Sequence, residues 1–171
     1  QLNFNSNMIA LVDDEPRTLN LKRMLELYLD HRMTVIIRKL EFELARNKYD
    51  AHILEGLLKA LDFIEEVIKV IRASKSQEEA KTNLMDRFDL TDVQAQAILD
   101  MPLRRLAALE RQKIQDDYNG LLETISHHEM YLSKESMILE LVKTDLAEVK
   151  EKYADKRRTK VYKGDVDEPQ E

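Results

Sequence analysis

The sequence predicts an all-α protein, in which a long antiparallel coiled-coil arm carries a small helical globular tip and a short β-hairpin lies at its base. Three observations predict this architecture. A seven-residue apolar repeat runs through residues 21–72, and a second apolar series steps by threes and fours through residues 114–153. Between them, helix-capping signals and a proline mark a compact insert. Two long apolar repeats of this kind are typical of helices that pack along each other.

The composition favours an elongated helical protein. Charged residues make up 35% of the 171 residues and aromatic residues only 6%, with three glycines and three prolines. The net charge of −6 argues against nucleic-acid binding by the chain as a whole. Since there is no cysteine, disulfides and thiolate metal sites are excluded. With no apolar run long enough for a membrane span and no signal peptide, we expect a cytoplasmic protein without membrane contact.

The first element is a hairpin. After a polar stretch at residues 1–7, Met8–Val12 has the composition of a strand, residues 13–16 (DDEP) of a turn, and residues 17–19 of a return strand. A lone hairpin is marginally stable in water, so we expect its sheet to continue upstream. The start at Gln1 likewise predicts a piece cut from a longer chain. Asn20 is positioned to cap the following helix.

The long helix is predicted to be continuous over residues 21–72, about 75 Å at 1.5 Å per residue. The predicted seam consists of every seventh residue: Leu21, Tyr28, Val35, Phe42, Tyr49, Gly56, Phe63 and Val70. Residues 46–48 interrupt the apolar density. Gly56 costs about 1 kcal/mol relative to alanine in a helix. Gly56 either allows another segment to approach the helix backbone closely or is simply tolerated at this position.

The insert predicts the tip, residues 74–107. Two capping boxes, SQEE at 76–79 and TDVQ at 91–94, open helices predicted over 77–87 and 92–101. The inward positions are predicted to be Leu84, Phe88, Val93, Ala97, Ile98 and Met101. Pro102 is disfavoured inside a helix, so a new helix is expected to start near it.

The return leg is predicted to keep one apolar phase across a soft spot at residues 133–136. Its positions are Ile114, Tyr118, Leu121, Ile125, His128, Leu132, Glu135, Leu139, Val142, Leu146, Val149 and Tyr153. His128 and Glu135 are polar within this seam, and such positions can fix the register of two helices. Beyond Tyr153 we expect a charged exit and then an acidic tail.

Catalytic and metal motifs are not apparent. His127 and His128 are adjacent, and neighbouring helical residues point about 100° apart, so one seam histidine and one exposed histidine is a better interpretation than a metal site. There is no glycine-rich phosphate loop and no nucleophile elbow. Four arm residues, Arg32, Arg38, Lys39 and Arg46, are candidates for DNA contact, although a solvated helix face explains them equally simply. Residues 156–158 form a second basic patch.

Four stretches of the sequence closely resemble the A subunit of bacterial DNA gyrase, a type IIA topoisomerase family. They are NMIALVDDEPRTLNLKRMLELYLDHR (7–32), AHILEGLLKALDFIEEVIKVIRAS (51–74), LTDVQAQAILDMPLRRLAALERQKI (90–114) and EKYADKRRTKV (151–161). The resemblance covers nearly the whole chain in unbroken order. Two departures fall in the tip, where Pro102 replaces the usual arginine and residues 106–108 (LAA) replace Leu-Thr-Gly.

The resemblance implies a domain for each region. Residues 1–20 would end the tower domain, residues 21–73 and 108–153 would form the coiled-coil arm, and residues 74–107 would be the globular dimerisation tip, the exit gate for transported DNA. Residues 154–171 would be a tail or linker. The predicted dimer contacts are small or apolar tip residues: Ala95, Ala97, Ile98, Met101, Leu103 and Leu106.

The same resemblance places catalysis outside this chain. The family's active-site tyrosine follows an arginine, and no tyrosine here does, so we expect no catalytic residue, metal or cofactor in these residues. ATP and magnesium would be bound by the B subunit of DNA gyrase, and the full enzyme would use ATP to introduce negative supercoils into double-stranded DNA. The expected partners are a second copy, the gyrase B subunit, and DNA. The alternatives are the A subunit of topoisomerase IV and a stand-alone coiled-coil dimerisation module.

Overall fold

The computed structural model describes residues 5–102 and 108–160. It confirms the predicted fold class, a helical protein with a small hairpin. The elements, in chain order, are β1 (Ile9–Val12), β2 (Glu15–Thr18), α1 (Leu21–Asp62), α2 (Ile64–Ala73), α3 (Gln77–Phe88), α4 (Asp92–Leu99), α5 (Ala108–Leu132) and α6 (Glu135–Tyr153). Residues 161–171 lie outside the described residues, and so do residues 103–107. The helix start predicted near Pro102 therefore falls partly outside them.

The hairpin forms as predicted, but its turn is shorter than residues 13–16, and the return strand begins at Glu15 rather than at Arg17. Strands β1 and β2 pair antiparallel, from Ile9 opposite Thr18 to Val12 opposite Glu15. The turn consists of Asp13 and Asp14 alone, and both have positive φ, 52° and 63°. Two consecutive residues of positive φ match the twist of a tight hairpin, and aspartate tolerates this conformation better than most residues. At the start of α1, the Arg23 N–H donates to the Asn20 side-chain oxygen at 2.8 Å.

The two legs of the arm run antiparallel. Asp62 at the end of α1 is paired with Arg111 near the start of α5. Further down the arm, Lys48 Nζ lies 2.6 Å from Glu129 Oε1, and Arg32 Nη2 lies 2.6 Å from Asp145 Oδ2 in α6. Residue numbers therefore fall on α1 as they rise on the return leg. With 42 residues, α1 alone extends about 63 Å.

Neither leg is the single helix that the sequence predicted. On the outgoing leg, Phe63 leaves the helical region at φ −115° and ψ 33°, and α2 begins at Ile64. This break lets Val67 and Val70 of α2 enter the core of the tip. On the return leg, Lys134 is extended at φ −145°, and Ser133 Oγ donates to the Met130 carbonyl at 2.6 Å. The expectation that one phase survives residues 133–136 is therefore wrong.

The predicted seam of α1 is also wrong, because most of the seven-residue series faces solvent. Phe42 is 70% exposed. The other exposed members are Leu21, Tyr28, Val35, Tyr49 and Phe63, whereas Gly56 and Val70 are buried. The buried stripe consists instead of Ile36, Leu40, Ala51, Leu57 and Leu61. It passes through half-buried Glu43 and Asn47, and these polar positions make it less conspicuous in the sequence.

On the return leg the prediction succeeds in the first half and only in part after the break, where Val142 and Leu146 pack in the seam as predicted. Ile114 is buried, and Tyr118, Leu121, Ile125, His128 and Leu132 are half-buried. In α6 the buried residues are Ile138 and Val142, while Glu135, Leu139, Val149 and Tyr153 are exposed. The break at residues 133–134 shifts the buried face, so Glu135 is not a seam position.

Candidate interaction surfaces at the head and along the arm

The end of the arm carries a head, which we define as α2, α3, α4 and the part of α1 from Ile53 to Asp62. Its buried core consists of Leu57, Ala60, Val67, Val70, Leu84, Phe88, Leu90, Ala95 and Ile98. Of the two predicted capping boxes, Thr91 and Gln94 make the reciprocal one. At Ser76 only the cap forms: Ser76 Oγ accepts from the Glu79 N–H at 3.2 Å, while the Glu79 carboxylate accepts from the Lys75 N–H. The caps fix where α3 and α4 begin, and thus which of their faces enter this core.

Gln94 fixes the head against the arm. It is 5% exposed, and its Nε2 donates to the His52 carbonyl at 2.8 Å. A Cβ added at Gly56 would lie 2.6 Å from Gln94 Cγ. Of the two interpretations of Gly56 offered by the sequence, the structure therefore supports the close approach. His52 completes the junction, since its Nε2 is 2.8 Å from Thr91 Oγ1.

An apolar groove of about 290 Å³ opens between α2 and α4. Its lining residues are Ile64, Val67, Ile68, Ile71, Arg72, Ile98, Leu99 and Met101. Only one of them is charged. The sequence reasoning missed the contribution of α2, although Ile64, Ile68 and Ile71 recur at the spacing of one helical face. These isoleucines lie within residues 21–73, which are predicted from the sequence to belong to the arm and not to the tip.

The structure divides the six predicted dimer contacts into three groups. Ala95 and Ile98 are 0% and 4% exposed, so both side chains are used by the core of their own chain. Ala97 and Met101 are half-buried at the surface, and Met101 lines the groove. Leu103 and Leu106 lie outside the described residues. Within the described residues, Ala97, Met101 and the α2 isoleucines of the groove are thus among the apolar side chains that the head leaves partly exposed.

Most of the candidate DNA contacts on the arm are engaged with carboxylates. Arg32 bridges the two legs to Asp145. Lys39 Nζ lies 4.0 Å from Glu43 Oε1, and Arg46 Nε lies 3.8 Å from Asp50 Oδ2. Arg38 is exposed and has no ion pair within the described residues. The arm therefore presents pairs of opposite charge more than a basic face.

His127 and His128 are arranged as one exposed histidine and one seam histidine, the interpretation favoured from the sequence. His128 is largely buried in the seam, with its Nε2 3.8 Å from Glu43 Oε2, whereas His127 is exposed. His31 is exposed as well. Within residues 5–102 and 108–160, no three histidine or acidic side chains are grouped closely enough to hold a metal. No helix in this part of the chain has the length and hydropathy to span a membrane.

This geometry defines a class of protein: a two-legged helical arm, rooted in a hairpin, that presents an apolar head at a fixed distance from its base. The particular family follows from comparison with known proteins. The family of the DNA gyrase/topoisomerase IV A subunit matches residues 1–147. The chain belongs to this family.

Individual relatives agree with that assignment. The chain is 49% identical over 164 residues to the DNA gyrase A subunit of Clostridium acetobutylicum, which covers 96% of this chain and 20% of the relative. It is 48% identical over 168 residues to that of Staphylococcus epidermidis, with 98% and 19% covered. For Streptococcus pneumoniae the identity is 46% over 166 residues, with 97% and 20% covered. The chain thus spans about a fifth of the length of the curated relatives it matches.

Proposed function

We propose that this chain is the exit-gate and dimerisation region of a DNA gyrase A subunit. The parent enzyme would be an ATP-dependent type II topoisomerase that breaks, passes and reseals double-stranded DNA and introduces negative supercoils. The observation that carries the proposal is the apolar groove between α2 and α4, at the end of the arm remote from the hairpin. Membership of the gyrase/topoisomerase IV family supplies the context in which a second copy is the natural occupant.

The mechanical role follows from the arm. A second copy that meets this one only at the head would leave the two arms apart, so that they enclose an opening for a duplex. The shared contact would be isologous, with each groove facing the other around a two-fold axis. Apolar side chains suit such a contact because their burial is favourable without demanding charge pairing. The contact would have to hold while DNA is broken and open when a duplex leaves.

The rest of the reaction would be supplied by other parts of the enzyme. The nucleophilic tyrosine is expected upstream in the same polypeptide, and ATP and magnesium on the gyrase B subunit. The partners of the full enzyme would be a second copy of the polypeptide, the B subunit, and double-stranded DNA, in the cytoplasm. By itself, this chain would dimerise and would not relax or supercoil DNA.

The dimerisation role is tested by placing a charge in the groove. Ile98 is a poor choice because it is buried in the core, so a charge there would unfold the head. Met101→Glu and Ile68→Glu instead alter the groove lining. We expect both variants to sediment as monomers at micromolar concentration while the unaltered chain is a dimer. Circular dichroism should show unchanged helicity.

A matched control is Leu122→Glu, which places the same charge on an exposed apolar residue of α5. It should leave the dimer intact. Dimers that persist in both groove variants, or an unaltered chain that is monomeric at this concentration, would refute the proposed interface. A loss of dimers in the control as well would show that the arm, not the head, holds the copies together.

The A subunit of topoisomerase IV is the second candidate, since the matching family includes both enzymes. The relatives quoted above, all from gyrase, favour gyrase. The two are separated by an assay of the complete enzyme in the presence of ATP. Negative supercoiling of relaxed plasmid identifies gyrase, whereas decatenation without supercoiling identifies topoisomerase IV.

A further inference from the structure

A second charged surface lies beyond the arm, in the segment that follows α6. We call residues 154–160 the basic exit segment; its sequence is ADKRRTK. It has no helix or strand, and all seven residues are exposed. Lys156, Arg157, Arg158 and Lys160 supply its positive charge, and Asp155 is its one acid. The segment is thus strongly basic within a chain whose net charge is −6.

The cations of this segment lack the close pairing of the arm cations that join the two legs. Arg32 and Lys48 contact carboxylates on the opposite leg at 2.6 Å, whereas Lys39 and Arg46 make looser pairs along α1, at 4.0 and 3.8 Å. In the basic exit segment, the ion pair within the described residues joins Arg158 to Asp155 at 3.9 Å, with side chains 92% and 81% exposed. A pair so exposed contributes little. Within the described residues, these cations therefore have no strong internal contact to give up when an anion binds.

The position of the segment follows from the antiparallel arm. Asp145 of α6 lies beside Arg32 of α1. From there α6 runs on to Tyr153, about 12 Å, and α1 runs back to Leu21, about 16 Å. The basic exit segment thus leaves near the hairpin, at the end of the arm opposite the groove.

We propose that the basic exit segment binds the phosphate backbone of duplex DNA at the base of the arm, without reading base sequence. The inference deepens the proposed function, on which it depends for the presence of DNA. Its guanidinium groups suit phosphate because they can donate two parallel hydrogen bonds. Because all its side chains are exposed, several of them can reach phosphates of one duplex. Each phosphate neutralised releases condensed counterions, which makes such binding salt-dependent.

The test compares two variants of the 171-residue chain that remove the same charge. One is K156Q/R157Q/R158Q, in the basic exit segment, and the other is R38Q/K39Q/R46Q, on the arm. Both variants keep the acidic residues within 165–171, so the charge of the tail is the same in each. Binding to a fluorescently labelled 30-base-pair duplex of mixed sequence is measured by anisotropy, across about 50 to 200 mM salt.

We expect the exit variant to bind at least tenfold more weakly at the lowest salt, with a salt slope smaller by about 2 to 3, since each lost phosphate contact changes the slope by about 0.9. The arm variant should lose less than about threefold and keep its slope. Unchanged binding in the exit variant would overturn the proposal. An equal loss in both variants would do the same, because it would show a response to total charge alone.

Sedimentation of the same samples separates this inference from the proposed dimer. The exit variant should remain dimeric, because its changes lie at the opposite end of the arm from the groove. The monomeric Met101→Glu variant should still lose DNA binding when the exit changes are added. If the unaltered chain dimerises but binds no duplex at any salt concentration, DNA binding by the basic exit segment is refuted, whereas the proposed head interface is supported.

Discussion

The head and the arm are stabilised in different ways, although both are helical and share α1. The head closes a small core, and Leu84 and Ala95 are completely excluded from solvent. The arm has one comparable apolar cluster, formed by Ile36 and Leu40 with Ile138 and Val142. Elsewhere its legs bury single apolar side chains, such as Ala51 and Ile114, and are joined by ion pairs. The comparison indicates that the head unfolds as one unit, whereas the arm tolerates local change.

The largest expected difference comes from removing a buried side chain in each region. Leu84→Ala should lower the free energy of unfolding by about 3–4 kcal/mol, because the closed head leaves the cavity unfilled. Ile138→Ala should lower the free energy of unfolding by only about 2 kcal/mol, because the break at residues 133–134 lets α6 shift into the cavity. Urea unfolding followed by circular dichroism, at one protein concentration, measures both. Leu122→Ala, on the surface of α5, should change stability by less than about 0.5 kcal/mol. Equal losses in the head and arm variants would contradict the difference in packing.

The next prediction compares alanine substitutions at two glycines, Gly56 and Gly120. Gly56→Ala should destabilise by about 1 kcal/mol or more, because overpacking against Gln94 Cβ and Cγ, 2.7 and 2.6 Å from the new methyl group, outweighs the gain in helix propensity. At Gly120, in α5, an added Cβ meets nothing within 4 Å. Gly120→Ala should therefore stabilise by about 0.5–1 kcal/mol. Thermal unfolding of both variants measures the signs, and a stabilised Gly56→Ala would show that the head does not sit tightly on the arm.

A smaller effect is expected at the break in the return leg. Lys134 is the N-cap of α6 and its side chain makes no capping hydrogen bond. Lys134→Asp should stabilise the arm by about 0.5–1 kcal/mol, because aspartate accepts from the first N–H groups of the helix and complements its dipole. Lys134→Ala is the control for loss of the charge alone. If both substitutions stabilise equally in urea unfolding, capping is not the cause.

The last comparison, which includes the smallest expected effect, concerns the ion pairs between the legs. A double-mutant cycle with Arg32→Gln and Asp145→Asn should give a coupling of about 1 kcal/mol, because Arg32 is partly buried. The same cycle with Lys48→Gln and Glu129→Gln should give about 0.3 kcal/mol, since both side chains are about half exposed. Raising the salt concentration should reduce the second coupling more than the first. Equal couplings would show that burial does not distinguish the two pairs.

Local signals carried most of what the sequence predicted correctly. The capping boxes at Ser76 and Thr91 marked the starts of α3 and α4, Asn20 marked the start of α1, and Asp13 and Asp14 marked the hairpin turn. Each of these depends on a side chain bonding to, or tolerating, its own neighbouring backbone. The resemblance to DNA gyrase is likewise visible in contiguous stretches of sequence, and the family match confirms it.

The candidate site was predicted only in part, because burial depends on partners that are distant in sequence. Met101 is predicted both as an inward position and as a dimer contact, and it is half-buried at the groove. Ala95 and Ile98 are predicted as dimer contacts, but their side chains lie in the core of the head. Ile68 was assigned to the arm, although the break at Phe63 turns it towards the groove. Nothing near these residues in sequence distinguishes a core position from a surface one.

The sequence by itself determined the helical class, the antiparallel pairing of two legs and the position of the head between them. Periodicity and caps suffice for these features because they are properties of contiguous residues. Only the tertiary structure decided which stripe of α1 meets the other leg. Phe42 and Leu40 are both apolar members of plausible repeats, yet Phe42 faces solvent and Leu40 packs against the return leg. The choice depends on the residues that the return leg presents to α1, such as Ile138 and Val142, which are about 100 residues away in sequence.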